Sequence, residues 1–223
     1  MVFKIILAVV IVVIAFILVM SAIKKHAFVK LFTKGNVLVS GMKGRGKDMA
    51  FCIVVNARKK NYISNVQYSN PKKKYQRFDF DPKVWELSGN TYNDLISGDI
   101  KSYSYPYPDG IDYYISDSGI YFPAQYQSEL CKKYRSAPIF QALSRQLGDC
   151  CVHCNSQKQN RVWDKIREQS DIYIVMRSCK VFFRKLVYLV AYSYDLEASA
   201  ESQIIPPRFG IGKTAKQARY NFE

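Results

Sequence analysis

Acidic residues are scarce in this chain. Its 223 residues carry 18 Asp and Glu against 33 Lys and Arg, a formal net charge of +15. A deficit of this size points to an anionic neighbour, either nucleic acid, anionic lipid or both; the alternative is a basic surface neutralised by counterions. Paired C-x-x-C arrays are also missing, although six cysteines are present. Cys150, Cys151, His153 and Cys154 crowd into DCCVHCNS, which has the pattern of a buried strand. Side chains alternate faces along a strand, so four ligands there cannot converge on one zinc ion. Buried, reduced thiols suit a cytoplasmic domain.

Charge is absent altogether from residues 5–23, IILAVVIVVIAFILVMSAI. That length is enough for one helix to cross a bilayer. Lys24, Lys25, His26 and Lys30 follow it, against Lys4 before it. The positive-inside bias therefore puts the bulk of the chain in the cytoplasm, where ATP is also found. A cleaved signal peptide would have a shorter apolar core, basic residues mainly in front and a small-x-small site behind, and this segment fits none of these. Residues 1–30 are expected to be a retained anchor in the inner membrane.

What is present points to one ligand. Residues 37–48 read VLVSGMKGRGKD: a β-branched run, a glycine-rich turn, then a lysine opening a helix. Gly41, four spacers (Met42, Lys43, Gly44 and Arg45), Gly46 and Lys47 form a phosphate-binding loop. Glycines admit positive φ and let backbone N–H groups close around a phosphate. The following helix N-terminus adds partial positive charge, and Lys47 is placed to reach the β- and γ-phosphates. The bland alternative is a Lys- and Gly-rich turn without a ligand. One position departs from the pattern: Asp48 stands where a Ser or Thr hydroxyl normally meets Mg²⁺. A carboxylate can ligate magnesium, but it also adds negative charge beside a polyanion.

Downstream, residues 47–58 have helical spacing and 62–69 alternate as a strand. PKKKYQRFDFDP mixes bases and aromatics, a pattern that either binds nucleic acid or forms an exposed loop. Residues 82–98 suggest one or two short helices. IDYYISDSGIYFP is an apolar strand delivering Asp117, the position from which an acid holds the magnesium shell; otherwise Asp117 is a turn or helix-cap acid. The next residue is Ser118, where many ATPases carry a Glu that activates water. A helix at 138–147 and a strand ending at Asn155, Ser156 and Gln157 follow. Gln157 either senses the γ-phosphate or caps the next helix, RVWDKIREQ. Two long strands around a turn near 178–180 close the domain. Gly212, Lys213 and Thr214 in the tail mimic a second loop, but Pro207 occupies the first glycine position and no strand is expected before it.

This order of parts resembles the zonula occludens toxin-like (Zot) assembly ATPases of filamentous phages, P-loop enzymes of the FtsK–HerA type. The likeness spans about 35–195 and rests on the glycine loop, on ISDSGIYFP and on SRQLGDCCVHCNSQ. It implies an α/β P-loop NTPase with a mainly parallel central sheet over 31–196, preceded by a single transmembrane helix and followed by a basic tail at 197–223. By position it carries over Gly41, Gly46, Lys47, Asp117 and Gln157, with ATP and magnesium as ligands. Asp117 and, as an extra ligand, Asp48 are the metal candidates. The implied role is to energise extrusion of phage single-stranded DNA through the host inner membrane during virion assembly. Its partners would be the membrane, single-stranded DNA or coat and assembly proteins, and further copies of itself. Arg135, Arg145 and Arg167 are the candidate trans-acting arginines. Asp48 and Ser118 instead favour a scaffold with a degenerate pocket that binds nucleotide without turnover. A DNA-transfer coupling ATPase of a plasmid is the third reading.

Overall fold

The computed structural model describes residues 2–68, 75–87, 93–94, 97, 105–126, 128–129, 136–181, 184–193 and 204–210. Side chains are described as far as Arg177, apart from those at 2–5, 17, 21, 24 and 25. An eight-stranded sheet in the order β3-β2-β4-β5-β1-β6-β7-β8 organises the chain. Its strands are β1 (Val37–Ser40), β2 (Tyr62–Ser64), β3 (Arg77–Asp79), β4 (Asp112–Ile115), β5 (Val152–Ser156), β6 (Ile172–Val181), β7 (Arg184–Ser193) and β8 (Ile204–Gly210). The first six pair in parallel and the last two are antiparallel. β1 lies between β5 and β6, with Ser40 opposite Ser156 and Val175. It is buried at all four positions, as a central parallel strand must be.

Helices cover both faces. On one lie α2 (Lys47–Arg58) and the last turn of α1 (Val2–Leu31). Phe28 and Phe32 meet edge to face at 5.3 Å, and Phe32 meets Phe51 of α2 at 6.1 Å. α1 therefore runs into the domain core without a linker. On the other face Trp85 stacks between Phe122 and Phe140, at 5.6 and 5.2 Å. Around it sit the short helices α3 (Ala137–Ala142), α4 (Ser144–Gly148) and α5 (Asp164–Glu168). Phe122 and Pro123 follow the β4 turn, and Pro123 bridges to Val162. This aromatic-proline segment is thus core packing.

Apolar side chains of α1 between Ile6 and Ile23 are exposed, Val12 at 66 %. Among the described residues no helix is long and apolar enough to cross a membrane. The longest uninterrupted stretch of described side chains there is 6–16.

Several elements differ from expectation. β2 stops at Ser64, because the Ser64 hydroxyl donates to the Tyr114 carbonyl and accepts the Val66 N–H at 3.1 Å, which turns the chain. The 138–147 helix is two short helices meeting at Leu143. β6 continues through 178–180, where a turn was expected, to Val181, and β7 begins at Arg184. β8 extends the sheet beyond residue 196, where no strand was expected, and it carries Pro206 and Pro207. An edge strand tolerates proline because one side of its ladder is unpaired. The basic-aromatic stretch at 71–74, most of 88–100 and the tail from 211 lie outside the described residues.

β5 alternates faces as its sequence requires. Cys150, Val152 and Cys154 belong to the layer around Trp85, whereas His153 faces Phe32 and Tyr114, at 5.1 and 4.9 Å. Burial, reinforced by the charge of Arg58, pushes the His153 pKa from 6.5 down to about 3. The neutral ring is therefore the folded form. Its contribution to stability is complete above pH 6.5 and is lost as the pH falls towards 3. At about 1.4 kcal/mol per pH unit the loss reaches about 2 kcal/mol at pH 5. The melting temperature of the parent should fall from pH 7 to pH 5 by more than that of His153→Leu. Equal falls would mean that other groups carry the acid sensitivity.

Candidate functional site: the glycine loop

Between β1 and α2 the backbone closes into an open ring. Gly41 N–H donates to the Ser156 carbonyl at 3.2 Å, and Arg45 N–H turns back to the Met42 carbonyl at 3.1 Å. Gly44 and Gly46 take left-handed φ values of 74° and 82°, accessible to glycine without strain. Gly41 is needed for another reason: a Cβ there would lie 2.8 Å from the Met176 carbonyl oxygen. β6 thus presses the loop from behind. Met42, Lys43 and Gly44 form the exposed tip.

No side chain caps the N-terminus of α2, where Gly46 is the cap residue. Its first N–H groups carry partial positive charge toward the loop. Lys47 is 7 % exposed, yet it makes no ion pair or hydrogen bond with any described residue. The stem is packed away while the ammonium is left without a protein partner, available to an anion from outside the chain.

Asp48 is the hub of the site. Its Oδ1 accepts hydrogen bonds from Ser116 Oγ at 2.6 Å, Asn155 Nδ2 at 2.8 Å and Tyr68 Oη at 3.1 Å. Burial, then the Asp48 carboxylate, hold the Tyr68 phenol well above its ordinary pKa, so it stays a donor. Asp48 Oδ2 accepts nothing from the described residues. The carboxylate that replaces the usual hydroxyl is therefore tied through one oxygen to β4, β5 and the segment after β2.

Asp117 lies in a tight turn beyond β4 with φ 46°, left-handed for a non-glycine residue. Asn155 Oδ1 accepts its N–H at 2.8 Å. Its carboxylate is half-buried and has no partner among the described residues. Ser118 is fully buried and donates its hydroxyl to the Asn155 carbonyl at 2.9 Å. The position after the acid therefore faces the strand, away from any water a ligand would hold. Asn65 Nδ2 donates to the Ser116 carbonyl at 2.9 Å, and its Oδ1 accepts the Ser116 N–H at 2.8 Å, fixing the end of β4.

Gln157 is half-exposed and accepts from Arg161 Nη1 at 3.3 Å. It caps neither following helix. It lines an open cleft of about 570 Å3 together with Gly41, Met42, Arg45 and Tyr173. The cleft thus joins Gln157 to the glycine loop, but not to Asp117 or Lys47. Arg145 donates to the Lys34 carbonyl at 3.0 Å, before β1 and so at the opposite end of the sheet from the loop. Arg135 lies outside the described residues.

The central parallel sheet and the glycine loop between β1 and α2 define a P-loop NTPase fold. The N-terminal domain of zonular occludens toxin from Neisseria meningitidis is similar over 85 % of this chain and 99 % of that chain, with TM-score 0.51 and 13 % identity. A weaker likeness, with TM-score 0.47 and 12 % identity, is to the genome packaging NTPase B204 of Sulfolobus turreted icosahedral virus 2 in complex with AMP. It covers 79 % of this chain and 96 % of that one. No protein-family model and no curated protein matches the sequence. At these identities the likeness is one of fold.

Tyr68 and Ser116 escape notice in the sequence, and Asn155 stands out only as one of three polar residues that end a strand. The one signal was polar residues ending an apolar strand, and it drew attention to Gln157 rather than Asn155. Asp48→Ser should destabilise the protein by about 3 kcal/mol or more, because three donors worth about 1–3 kcal/mol each lose their acceptor and a serine hydroxyl is too short to replace it. Thermal denaturation at pH 7 tests this; unchanged stability would show that the three bonds hold nothing.

Proposed function

We propose that this chain is a membrane-anchored P-loop ATPase that binds ATP with magnesium and energises assembly and extrusion of a filamentous phage. The observation that carries nucleotide binding is the buried Lys47, without a protein partner, at the mouth of a loop shaped by Gly41, Gly44 and Gly46. Those N–H groups and the lysine would hold the β- and γ-phosphates. The oxygen donors present suit magnesium, which prefers carboxylates and water. Asp117 offers a carboxylate without a protein partner, and Asp48 keeps Oδ2 for the same ion. Magnesium, when bound, neutralises charge on the β- and γ-phosphate oxygens. Gln157, on the cleft side of the loop beside Gly41 and Met42, would orient the terminal phosphate or its attacking water.

Support for the phage role is the sequence resemblance together with the fold shared with the toxin domain. The exposed apolar side chains of α1, and the basic residues after them, support an anchor in the host inner membrane with the ATPase domain in the cytoplasm. The net charge of +15 suits single-stranded DNA or anionic lipid as a neighbour, and assembly with coat proteins and with further copies of the chain completes the reading. One observation favours a nucleotide-binding scaffold of low turnover: Ser118 is buried, so no base stands beside Asp117.

Lys47→Ala should weaken binding of ATP with magnesium at least a hundredfold while shifting the melting temperature by no more than a few degrees. Calorimetric titration of the full chain in detergent measures the first, and equal affinity in variant and parent would remove the phosphate site. The anchor has its own test. A C-terminal reporter active only outside the cytoplasm should stay silent, and a strong signal would reverse the orientation.

A further inference from the structure

Asn155 is fully buried and uses every polar group of its side chain on the two halves of the site. Nδ2 donates to Asp48 Oδ1 at 2.8 Å, on the helix that opens from the glycine loop. Oδ1 accepts the Asp117 N–H at 2.8 Å, in the turn after β4. Its backbone carbonyl accepts both the N–H and the hydroxyl of Ser118, at 2.8 and 2.9 Å. One residue thus fixes three points of the Asp117 turn and the acid of the loop helix.

Asp117 gives this bridge a purpose. Its backbone is left-handed, a conformation an L-residue holds only where its surroundings impose it. Its carboxylate meets no described partner, so the turn, not the side chain's own bonds, decides where that carboxylate points. Without the Asn155 amide the Asp117 N–H loses its acceptor and the turn its restraint. Asp48 would also lose one of the donors that hold Oδ1 away from the ligand side.

We propose that Asn155 is a positioning residue for the metal half of the site: it sets Asp117 and Asp48 relative to each other, so that magnesium is bound together with the nucleotide. This rests on the nucleotide-binding reading above. It differs from a general structural role in predicting which affinity is lost. The Asn155 side chain meets the loop helix only at Asp48, and the backbone pairing of β5 with β1 does not depend on that side chain, so nucleotide without metal should bind as before.

The experiment is titration of full-length protein in detergent with ATP, once with excess EDTA and once with magnesium. Parent, Asn155→Leu, Asn155→Ser, Asp117→Asn and the double variant Asn155→Ser/Asp117→Asn are compared. The parent should bind more tightly with magnesium. In Asn155→Leu that enhancement should fall at least tenfold, while metal-free affinity stays within threefold of the parent. Asn155→Ser, whose hydroxyl is too short to reach either partner, should behave alike and carries the test if the leucine variant does not fold. The double variant should lose less than the product of the two single losses, because Asn155 acts in part through Asp117. Enhancement kept in the folded variants, metal-free affinity lost by the same factor, or effects that multiply in the double variant would each overturn the proposal. A parent that binds no nucleotide under either condition would instead overturn the reading on which it rests.

Discussion

Three hydrogen bonds converging on one carboxylate oxygen, Asp48 Oδ1, hold this site together. The donors come from the segment after β2, from the end of β4 and from β5, while Asp48 itself sits in the first turn of α2. The loop helix is therefore fastened to the sheet beside the ligand, in addition to its apolar face. A Ser or Thr at this position could not satisfy three donors at once, since a hydroxyl offers two acceptor lone pairs. The same substitution that departs from the common loop pattern thus creates a buried network. Such networks specify one arrangement when every member is satisfied and are costly when one is removed.

That fastening divides labour between the two oxygens of Asp48. Oδ1 serves the fold, and Oδ2 accepts nothing from the described residues. Asp117 differs, because its carboxylate is unengaged and its backbone is held by Asn155. On the proposed reading, the lysine and the loop amides take the anion and Asp117 the cation. Residue 118 is a serine turned into the strand, so the usual activating carboxylate is missing from that position. On the proposed reading, nucleotide binding and hydrolysis are therefore separable.

Local pattern made the central strands, α2 and the glycine loop legible, because their signals lie within a dozen residues. Apolar runs, glycines at turns and helical spacing needed no distant partner. The alternation that argues against a zinc site at Cys150, Cys151, His153 and Cys154 was legible too, and His153 does face the opposite layer from Cys154. What escaped depends on distant contacts. Asn155 meets Asp48 across 107 positions and Asp117 across 38, and neither distance leaves a trace in spacing. β8 was not expected; its Pro206 and Pro207 fit a strand only at a sheet edge, a position that local pattern does not reveal. The end of β2 depends on a hydroxyl that bonds the neighbouring strand, again a tertiary effect.

The central claim is that the loop from Gly41 to Asp48 holds the phosphates of a nucleoside triphosphate. Amide hydrogen exchange of the full chain, with and without ATP and magnesium, tests it most directly. Protection should rise at the amides of residues 43–49, where the ring of N–H groups closes on phosphate, and should stay unchanged at β3 on the far edge of the sheet. Unaltered exchange in the loop at saturating nucleotide, or protection confined to another surface, would contradict it.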